Sequence, residues 1–144
     1  MPEFHPVLPK FCLRLAALLS LVLAAATMSA SAADASLLDT RWTLETVRGM
    51  PAVSGRGDPH MVLGPDGGLT GGTGCNSMGG AFTVDGDTIA FGPIRTTRIY
   101  CADAYRTEQE LLKAMREVGR FVITGNRLEL LTRDGVTLAV FVAG

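Results

Sequence analysis

Beyond the N-terminal segment, three side chains are soft or borderline ligands for zinc, namely Cys75, Cys101 and His60, and Cys75 is also a candidate nucleophile. Cys75 lies in the stretch GGLTGGTGCNSMGG, residues 67–80, beside the polar side chain of Asn76. A cysteine acts as a nucleophile when a base such as histidine lies within hydrogen-bond reach. Cysteine and histidine are also zinc ligands, although the paired spacing of a structural zinc site is absent from this sequence. The residue types alone leave both chemistries open.

The glycines of this stretch do not match a phosphate-binding loop. A P-loop has Lys and Ser or Thr directly after its last glycine, and a dinucleotide-binding loop leads from a strand into a helix. Here the alternating residues of a strand follow Gly80. The sequence therefore predicts a structural turn, in which missing Cβ atoms permit positive φ angles and close contacts between strands, and no cofactor. The predicted turn residues are Gly74, Asn76, Gly79 and Gly80.

The N-terminus has the pattern of a secretory signal peptide, residues 1–32. Lys10 and Arg14 lie at the start of an apolar run, and small residues precede a cleavage site after Ala32. These are the charged, apolar and cleavage regions of such a signal. The apolar run is shorter than the roughly 20 residues needed to span a bilayer. We therefore expect cleavage near Ala32, no stable membrane anchor afterwards, and a periplasmic or secreted bacterial protein.

Export determines how the cysteines are interpreted. Cys12 leaves with the signal peptide, so that Cys75 and Cys101 remain as an even pair. In an oxidising compartment the default state of such a pair is a disulfide. A bridge would tie the glycine turn to the segment before the predicted helix. It would also remove Cys75 as a nucleophile or a ligand.

Charge and length exclude some classes of function. Residues 33–144 carry 13 acidic and 11 basic side chains, a net charge of −2 with histidine neutral. The basic residues are scattered singly, whereas nucleic-acid binding needs a basic cluster, so we expect no nucleic-acid partner. The roughly 110 residues suit one domain. We expect a flexible lead at 33–40 and the folded part at 41–144.

Alternating apolar residues predict a series of short strands joined by tight turns. Asp85-Gly86, Gly125-Asn126 and Asp134-Gly135 each stand between two alternating runs, which is a strong hairpin signal. Because each turn joins neighbours in sequence, the sheet is expected to be a curved antiparallel meander, barrel-like and mainly β. Its first strand is expected around Trp42 and Leu44.

One segment, 104–118, has helical periodicity instead. Its apolar residues recur at three- and four-residue spacing, with charged residues on the other side. Asp103 or Thr107 is predicted to cap the start of the helix, and Gly119 to end it. The expected architecture is therefore a small α+β domain with one amphipathic helix packed on the sheet.

Together these motifs resemble the META domain family, also called HslJ-like. The resemblance rests on the run Gly74-Cys75-Asn76 and on Thr97 and Cys101 at their spacing from it, and it extends over nearly all of the chain after the signal peptide. Met78 and Phe82 stand where the family commonly has an aromatic residue and a tyrosine. The resemblance implies a small, mostly β domain of exported bacterial proteins associated with envelope stress, motility or secretion, with no established reaction.

We therefore expect a non-enzymatic envelope protein that binds another exported protein. The candidate partner loop is 50–59, with Ser54, Arg56 and Asp58 as its polar residues. One alternative is an inhibitor of an exported protease or other hydrolase, since a preorganised loop lowers the entropic cost of binding. Another is a small-molecule binder inside the curved sheet. Against it, the few aromatic residues, Tyr100 and Tyr105 among them, are about enough to fill a small core.

Overall fold

The computed structural model describes residues 33–144, so the predicted signal peptide lies outside the described part of the chain. The strands are β1 (Trp42–Val47), β2 (Met50–Pro51), β3 (His60–Leu63), β4 (Gly68–Gly72), β5 (Ser77–Asp85), β6 (Thr88–Phe91), β7 (Arg95–Thr96), β8 (Arg120–Thr124), β9 (Arg127–Leu131) and β10 (Thr137–Ala143). The helix is α1 (Tyr105–Glu117), between β7 and β8.

Eight of the strands close into an antiparallel barrel. Around the barrel the order is β1, β3, β4, β5, β6, β8, β9 and β10, and β10 pairs with β1 to complete the circle. The short strands β2 and β7 lie off this circle, on β1 and β5. The predicted mainly β meander with one helix is confirmed. Closure pairs the first and last strands, which in an open sheet would be exposed edges.

Glycines with positive φ angles make three of the predicted hairpin turns. The φ angle is +58° at Gly86, +61° at Gly125 and +88° at Gly135. Side chains rarely adopt this left-handed region, which is why tight hairpin turns favour glycine. The three turns join β5 to β6, β8 to β9 and β9 to β10, as the sequence predicts.

A bulge in β1 sets which of its side chains reach the core. Trp42, Leu44 and Val47 are buried, and the register with β10 shifts between Leu44 and Thr46. An extra residue on one strand moves the following side chains to the other face. Side chains of the other strands fill the rest of the barrel interior, including Met61, Leu63, Leu69, Met78, Leu128, Leu130 and Phe141.

Helix α1 covers the barrel with the apolar face that its periodicity predicts. Leu111, Ala114 and Met115 are buried in the same core cluster as the strand residues. The helix contacts β1, β6 and β10. Because β6 lies four places from β1 around the barrel, the helix crosses from one side of the barrel to the other. Within residues 33–144, no helix is long and apolar enough to cross a membrane.

The start of α1 differs from the prediction. Ala104 is the N-cap residue, and no side chain caps the helix there. Thr107 is buried, and its Oγ1 accepts a hydrogen bond from Val53 N at 3.0 Å. The predicted caps, Asp103 and Thr107, were wrong because a loop distant in sequence uses the Thr107 hydroxyl, a contact that the local pattern does not contain.

Residues 33–40, expected to be a flexible lead, are hydrogen-bonded to the barrel. Ala35 N donates to Gly125 O at 2.7 Å, and Gly125 N donates to Asp34 Oδ1 at 2.6 Å. The Trp42 indole Nε1 donates to Leu37 O at 3.0 Å. A buried indole N–H needs such a partner, so the lead satisfies a polar group of the core residue Trp42.

Two glycines predicted for the turn, Gly79 and Gly80, lie instead within β5. A Cβ on Gly80 would lie 3.0 Å from the Pro93 carbonyl oxygen, so the missing side chain permits a close approach rather than a turn. Gly71 in β4 is more crowded. A Cβ there would overlap the His60 carbonyl oxygen of the paired strand β3.

Arg48 fastens the turn between β1 and β2 to α1. Its Nη2 donates to Glu117 Oε2 at 2.6 Å, and its Nε lies 2.9 Å from Glu110 Oε2, an ion pair without hydrogen-bond geometry. The hydrogen bond from Arg48 holds the pKa of Glu117 below its ordinary value, because it favours the charged carboxylate.

Substituting Gly71→Ala should destabilise the barrel by about 3 kcal/mol, because the new methyl group meets backbone atoms that cannot rotate away. Gly79→Ala is the matched control, since a Cβ there would lie 3.6 Å from its nearest neighbour, an ordinary contact. Thermal unfolding followed by circular dichroism should show a Tm loss of roughly 10 °C or more for Gly71→Ala only. Equal losses in the two variants would contradict the close approach.

Acidification should test the contact between Arg48 and Glu117. A carboxylate with a lowered folded pKa contributes stability above its ordinary value, here 4.5, and loses that contribution as the pH falls toward the folded pKa. Denaturant unfolding of Glu117→Gln should therefore show a shallower loss of stability below that pH than the parent protein. Glu129→Gln removes a carboxylate that is in no ion pair of residues 33–144, and it serves as the control. A parent-like slope in Glu117→Gln would refute the contact.

Candidate functional site

An open groove of about 350 Å³ lies where the glycine turn, the 56–60 loop and the segment after β7 meet. Thr97 and Ile99 contribute to its lining. The groove brings the turn residues Gly74, Cys75 and Asn76 next to Arg56, Asp58 and His60, which come earlier in the chain, in the loop before β3 and at the first residue of β3. The candidate partner loop therefore lies beside Cys75 and His60, the residues considered for nucleophilic or zinc chemistry.

The Asn76 side chain joins three parts of the chain at this groove. Its Oδ1 accepts hydrogen bonds from Ile99 N at 2.7 Å and from Thr97 Oγ1 at 2.8 Å. Its Nδ2 donates to Ile99 O at 2.9 Å and to Glu108 Oε2 at 2.8 Å. Asn76 is only 4% exposed. Both donors and both acceptor positions of the amide are thus used within the protein.

Thr73 links the same turn to the helix. Its Oγ1 accepts a hydrogen bond from Asn76 N at 2.9 Å and donates one to Glu108 Oε2. Thr73 is fully buried, so its hydroxyl depends on these partners. Glu108 lies in the first turn of α1, where the helix dipole favours a carboxylate. Thr73 and Asn76 together hold the start of α1 at the glycine turn.

Gly74 fixes the backbone of the candidate partner loop. Its φ angle is +94°, and its carbonyl oxygen accepts hydrogen bonds from Gly55 N at 2.9 Å and Arg56 N at 2.8 Å. Within the loop, Ser54 Oγ donates to Asp58 Oδ1 at 2.7 Å. Ser54, Arg56 and Asp58 are exposed. The loop therefore presents these side chains from a backbone held in place.

Cys75 and Cys101 form a disulfide, with their Cα atoms 5.8 Å apart. The two residues are 26 apart in sequence. In the chain-entropy account, closing a loop of this size stabilises a domain by roughly 3–4 kcal/mol. The disulfide and the Asn76 amide restrain the same short segment, at Cys101 and at Thr97 and Ile99 respectively.

The segment 97–101 is therefore held at every second residue, although residues 97–100 are all exposed. Arg98 and Tyr100 are exposed, Tyr100 by 75%. The Tyr100 ring lies 5.8 Å from that of Tyr105, which is also exposed. The expectation that these tyrosines fill the core was wrong, because aliphatic side chains with Trp42 and Phe141 fill it instead.

The groove contains both members of the Cys75 and His60 pair. The Cys75 sulfur is bonded to Cys101, so it provides no thiolate while the bridge is intact. His60 Nδ1 lies 2.8 Å from the Asp58 carbonyl oxygen, an acceptor that requires the proton on Nδ1. Across residues 33–144, no three His, Cys, Asp or Glu side chains are grouped to share a metal ion. With the bridge intact, the groove presents the hydrogen-bonding groups of its lining residues, Arg56, Asp58 and His60 among them.

Two members of the site carry little signal in the sequence. The helical period places Glu108 on the polar face of α1, where most carboxylates are solvated, and no motif marks Thr73. A threonine three residues before an asparagine in a glycine-rich stretch does suit a side-chain-stabilised turn. That local pattern is compatible with a role for Thr73 but does not single it out, and the role of Glu108 becomes visible only when the helix is placed.

Comparisons with known proteins support the fold. The sequence model of the META domain matches residues 35–144, a range that includes most of the hydrogen-bonded lead. The chain is similar to a protein solved by NMR, with 24% identity and a TM-score of 0.57, over 72% of this chain and 88% of that one. It is also similar to a protein from Burkholderia xenovorans solved by NMR, with 20% identity and a TM-score of 0.60, over 75% of this chain and 83% of that one. No curated protein matches the sequence.

Asn76→Ala should destabilise the protein by about 3 kcal/mol, because it leaves the backbone N and O of Ile99 without their amide partner and removes one of the two hydrogen bonds to the Glu108 carboxylate in a partly buried site. Asn126→Ala is the matched control, since Asn126 lies in the turn between β8 and β9 and its side chain makes no hydrogen bond within residues 33–144. Denaturant unfolding of the oxidised proteins would measure both. A loss for Asn76→Ala no greater than that of the control would contradict the role of this amide.

Proposed function

Since the chain belongs to the META domain family, we propose that it is an exported, non-enzymatic domain that binds another exported protein. The observation that carries the proposal is the use of the reactive side chains for structure. Cys75 is in the disulfide. The Asn76 side chain is hydrogen-bonded to Thr97, Ile99 and Glu108, and Glu108 is hydrogen-bonded to Thr73 as well. What remains free at the site is surface held in a fixed shape.

The binding surface has two parts on either side of the disulfide, the candidate partner loop 50–59 and the segment 97–105. A Cβ on Gly55 would lie 3.0 Å from Ala104 Cβ and 3.2 Å from Cys101 Cβ. The two parts are therefore in close contact, and both contain exposed side chains. A surface fixed before binding loses less conformational entropy on association.

Export is supported by the signal pattern of residues 1–32 and by the disulfide, which persists in an oxidising compartment. The filled interior of the barrel favours an external surface over an internal small-molecule pocket as the place of binding. Association with envelope stress, motility or secretion remains part of the proposal through the family resemblance.

Inhibition of an exported hydrolase is a second candidate, favoured by how the loop is held. Besides the two hydrogen bonds to Gly74, Ala52 N donates to Glu45 O at 2.9 Å and Val53 N to Thr107 Oγ1 at 3.0 Å. An exposed loop with a fixed backbone is the form in which protein inhibitors meet an active site.

Site-specific crosslinking in the envelope should capture a partner at the binding surface. The full chain is expressed and exported with a photoreactive amino acid in place of Arg56 or, as the control, of Val122. It is purified after crosslinking in the envelope. Arg56 is hydrogen-bonded to Gly74 in the turn that follows β4. Val122 is exposed on β8, three strands around the barrel from β4, so it lies away from that turn. We expect a discrete crosslinked protein at position 56 and none at 122, because only the first position lies on the proposed surface.

Identical products at both positions, or none at either, would count against specific protein binding. Intact mass and thiol titration of the same sample check the premises of export: a chain starting near Ala33 with no free thiol is expected. If the captured protein is a hydrolase, its activity is measured against increasing amounts of the purified domain, and inhibition at a one-to-one ratio would select the second candidate.

A further inference from the structure

The segment 95–106 differs in charge from the rest of the exported chain. It contains Arg95, Arg98 and Arg106 but only one carboxylate, Asp103, whereas residues 33–144 as a whole carry a net charge of −2. The ion pairs within residues 33–144 involve Arg48, Arg120 and Arg127. The three arginines of the 95–106 segment thus have no intramolecular carboxylate partner in the part of the chain that the structure describes.

The same segment presents two exposed aromatic rings. The Tyr100 and Tyr105 rings are 5.8 Å apart and inclined at 52°, so they do not form one flat platform of the kind that a sugar ring stacks on. Arg98 precedes Tyr100 by two residues and Arg106 directly follows Tyr105. Arg106 also lines a small cleft with Val53 of the partner loop. Tyrosine and arginine are among the residues most enriched at energetic centres of protein interfaces.

The backbone that carries these side chains is restrained unusually well for an exposed segment. The Asn76 amide binds both N and O of Ile99, and the disulfide holds Cys101. Tyr100 lies between these two fixed points. Two rigid χ angles and a fixed backbone leave little entropy to lose when a partner covers the ring.

We propose that Arg98, Tyr100, Tyr105 and Arg106, here named the tyrosine surface, bind an extended acidic segment of a partner protein that contains an apolar side chain. The apolar side chain packs against the inclined rings, and carboxylates of the partner pair with Arg98 and Arg106. This inference rests on the proposed function and specifies the partner by its chemistry.

The test uses three synthetic peptides of twelve residues and fluorescence anisotropy with the exported protein. The first peptide combines Asp and Glu with Leu and Phe, the second replaces its acidic residues with Lys, and the third replaces its apolar residues with Ser. We expect only the first to bind, with an affinity that falls as salt is raised. Tyr100→Ala and Arg98→Ala should each weaken binding by roughly tenfold or more.

Val136→Ala and Arg41→Ala are the matched controls, since Val136 is 61% exposed on the turn before β10 and Arg41 is an exposed arginine outside the ion pairs. Both should leave affinity within about twofold of the parent. Because Tyr100 is exposed, its alanine variant should also keep the parent Tm, which separates lost contact from lost fold.

Any of the following results would overturn the proposal: equal binding of the acidic and basic peptides, no binding of the acidic peptide, unchanged binding by Tyr100→Ala, or selective binding of a cell-wall oligosaccharide in the same assay. A parent protein that is dimeric by light scattering and becomes monomeric as Tyr100→Ala would also overturn it, by assigning the surface to a second copy. A partner crosslinked at position 56 that persists in Tyr100→Ala would leave the binding role intact and refute the tyrosine surface alone.

Discussion

The hydrogen bonds of one buried amide, that of Asn76, determine how the non-barrel parts of this domain are arranged. The amide meets the backbone of Ile99 in the segment before the helix and the carboxylate of Glu108 within the helix. Neither segment is a strand of the barrel. Because every donor and acceptor of the amide is engaged, a change in the position of one segment leaves a buried polar group of another unsatisfied. The turn, the segment and the helix start are therefore coupled.

The barrel shows why this coupling is placed where it is. Strands β6 and β8 share the single pair Thr88 and Arg120, the fewest of any neighbouring strands in the circle; β1 and β3 share two pairs, and the others share four or five. The chain between these two strands contains β7, the disulfide segment and α1. This long connection joins the two neighbouring strands with the fewest paired residues, so few ladder hydrogen bonds position it. Side-chain hydrogen bonds and a disulfide supply the position that the sheet does not.

The elements set by local sequence were predictable, and those set by distant contacts were not. Hairpins at Gly86, Gly125 and Gly135 follow from a backbone requirement that glycine meets, and the helix follows from its own period. The exposure of Tyr100 does not, because the ring is apolar enough to be buried and the position of its neighbour Ile99 depends on a hydrogen bond to Asn76, 23 residues earlier in the chain. The role of Glu108 likewise depends on Asn76, 32 residues earlier in the chain.

Apolar packing and buried polar contacts have different roles in this fold. Hydrophobic packing of the strands and helix stabilises the barrel. Of the buried residues Trp42 and Phe141, only Trp42 has a polar side-chain group, and its indole N–H is hydrogen-bonded to Leu37 O. The Asn76 network and the disulfide add restraint mainly to an exposed segment. Besides stabilising the domain, this restraint fixes the shape of the exposed segment before anything binds it. The side chains of the run Gly74-Cys75-Asn76 therefore determine the geometry of the adjacent surface. The exposed tyrosines, and the arginines that have no carboxylate partner within residues 33–144, lie on this surface.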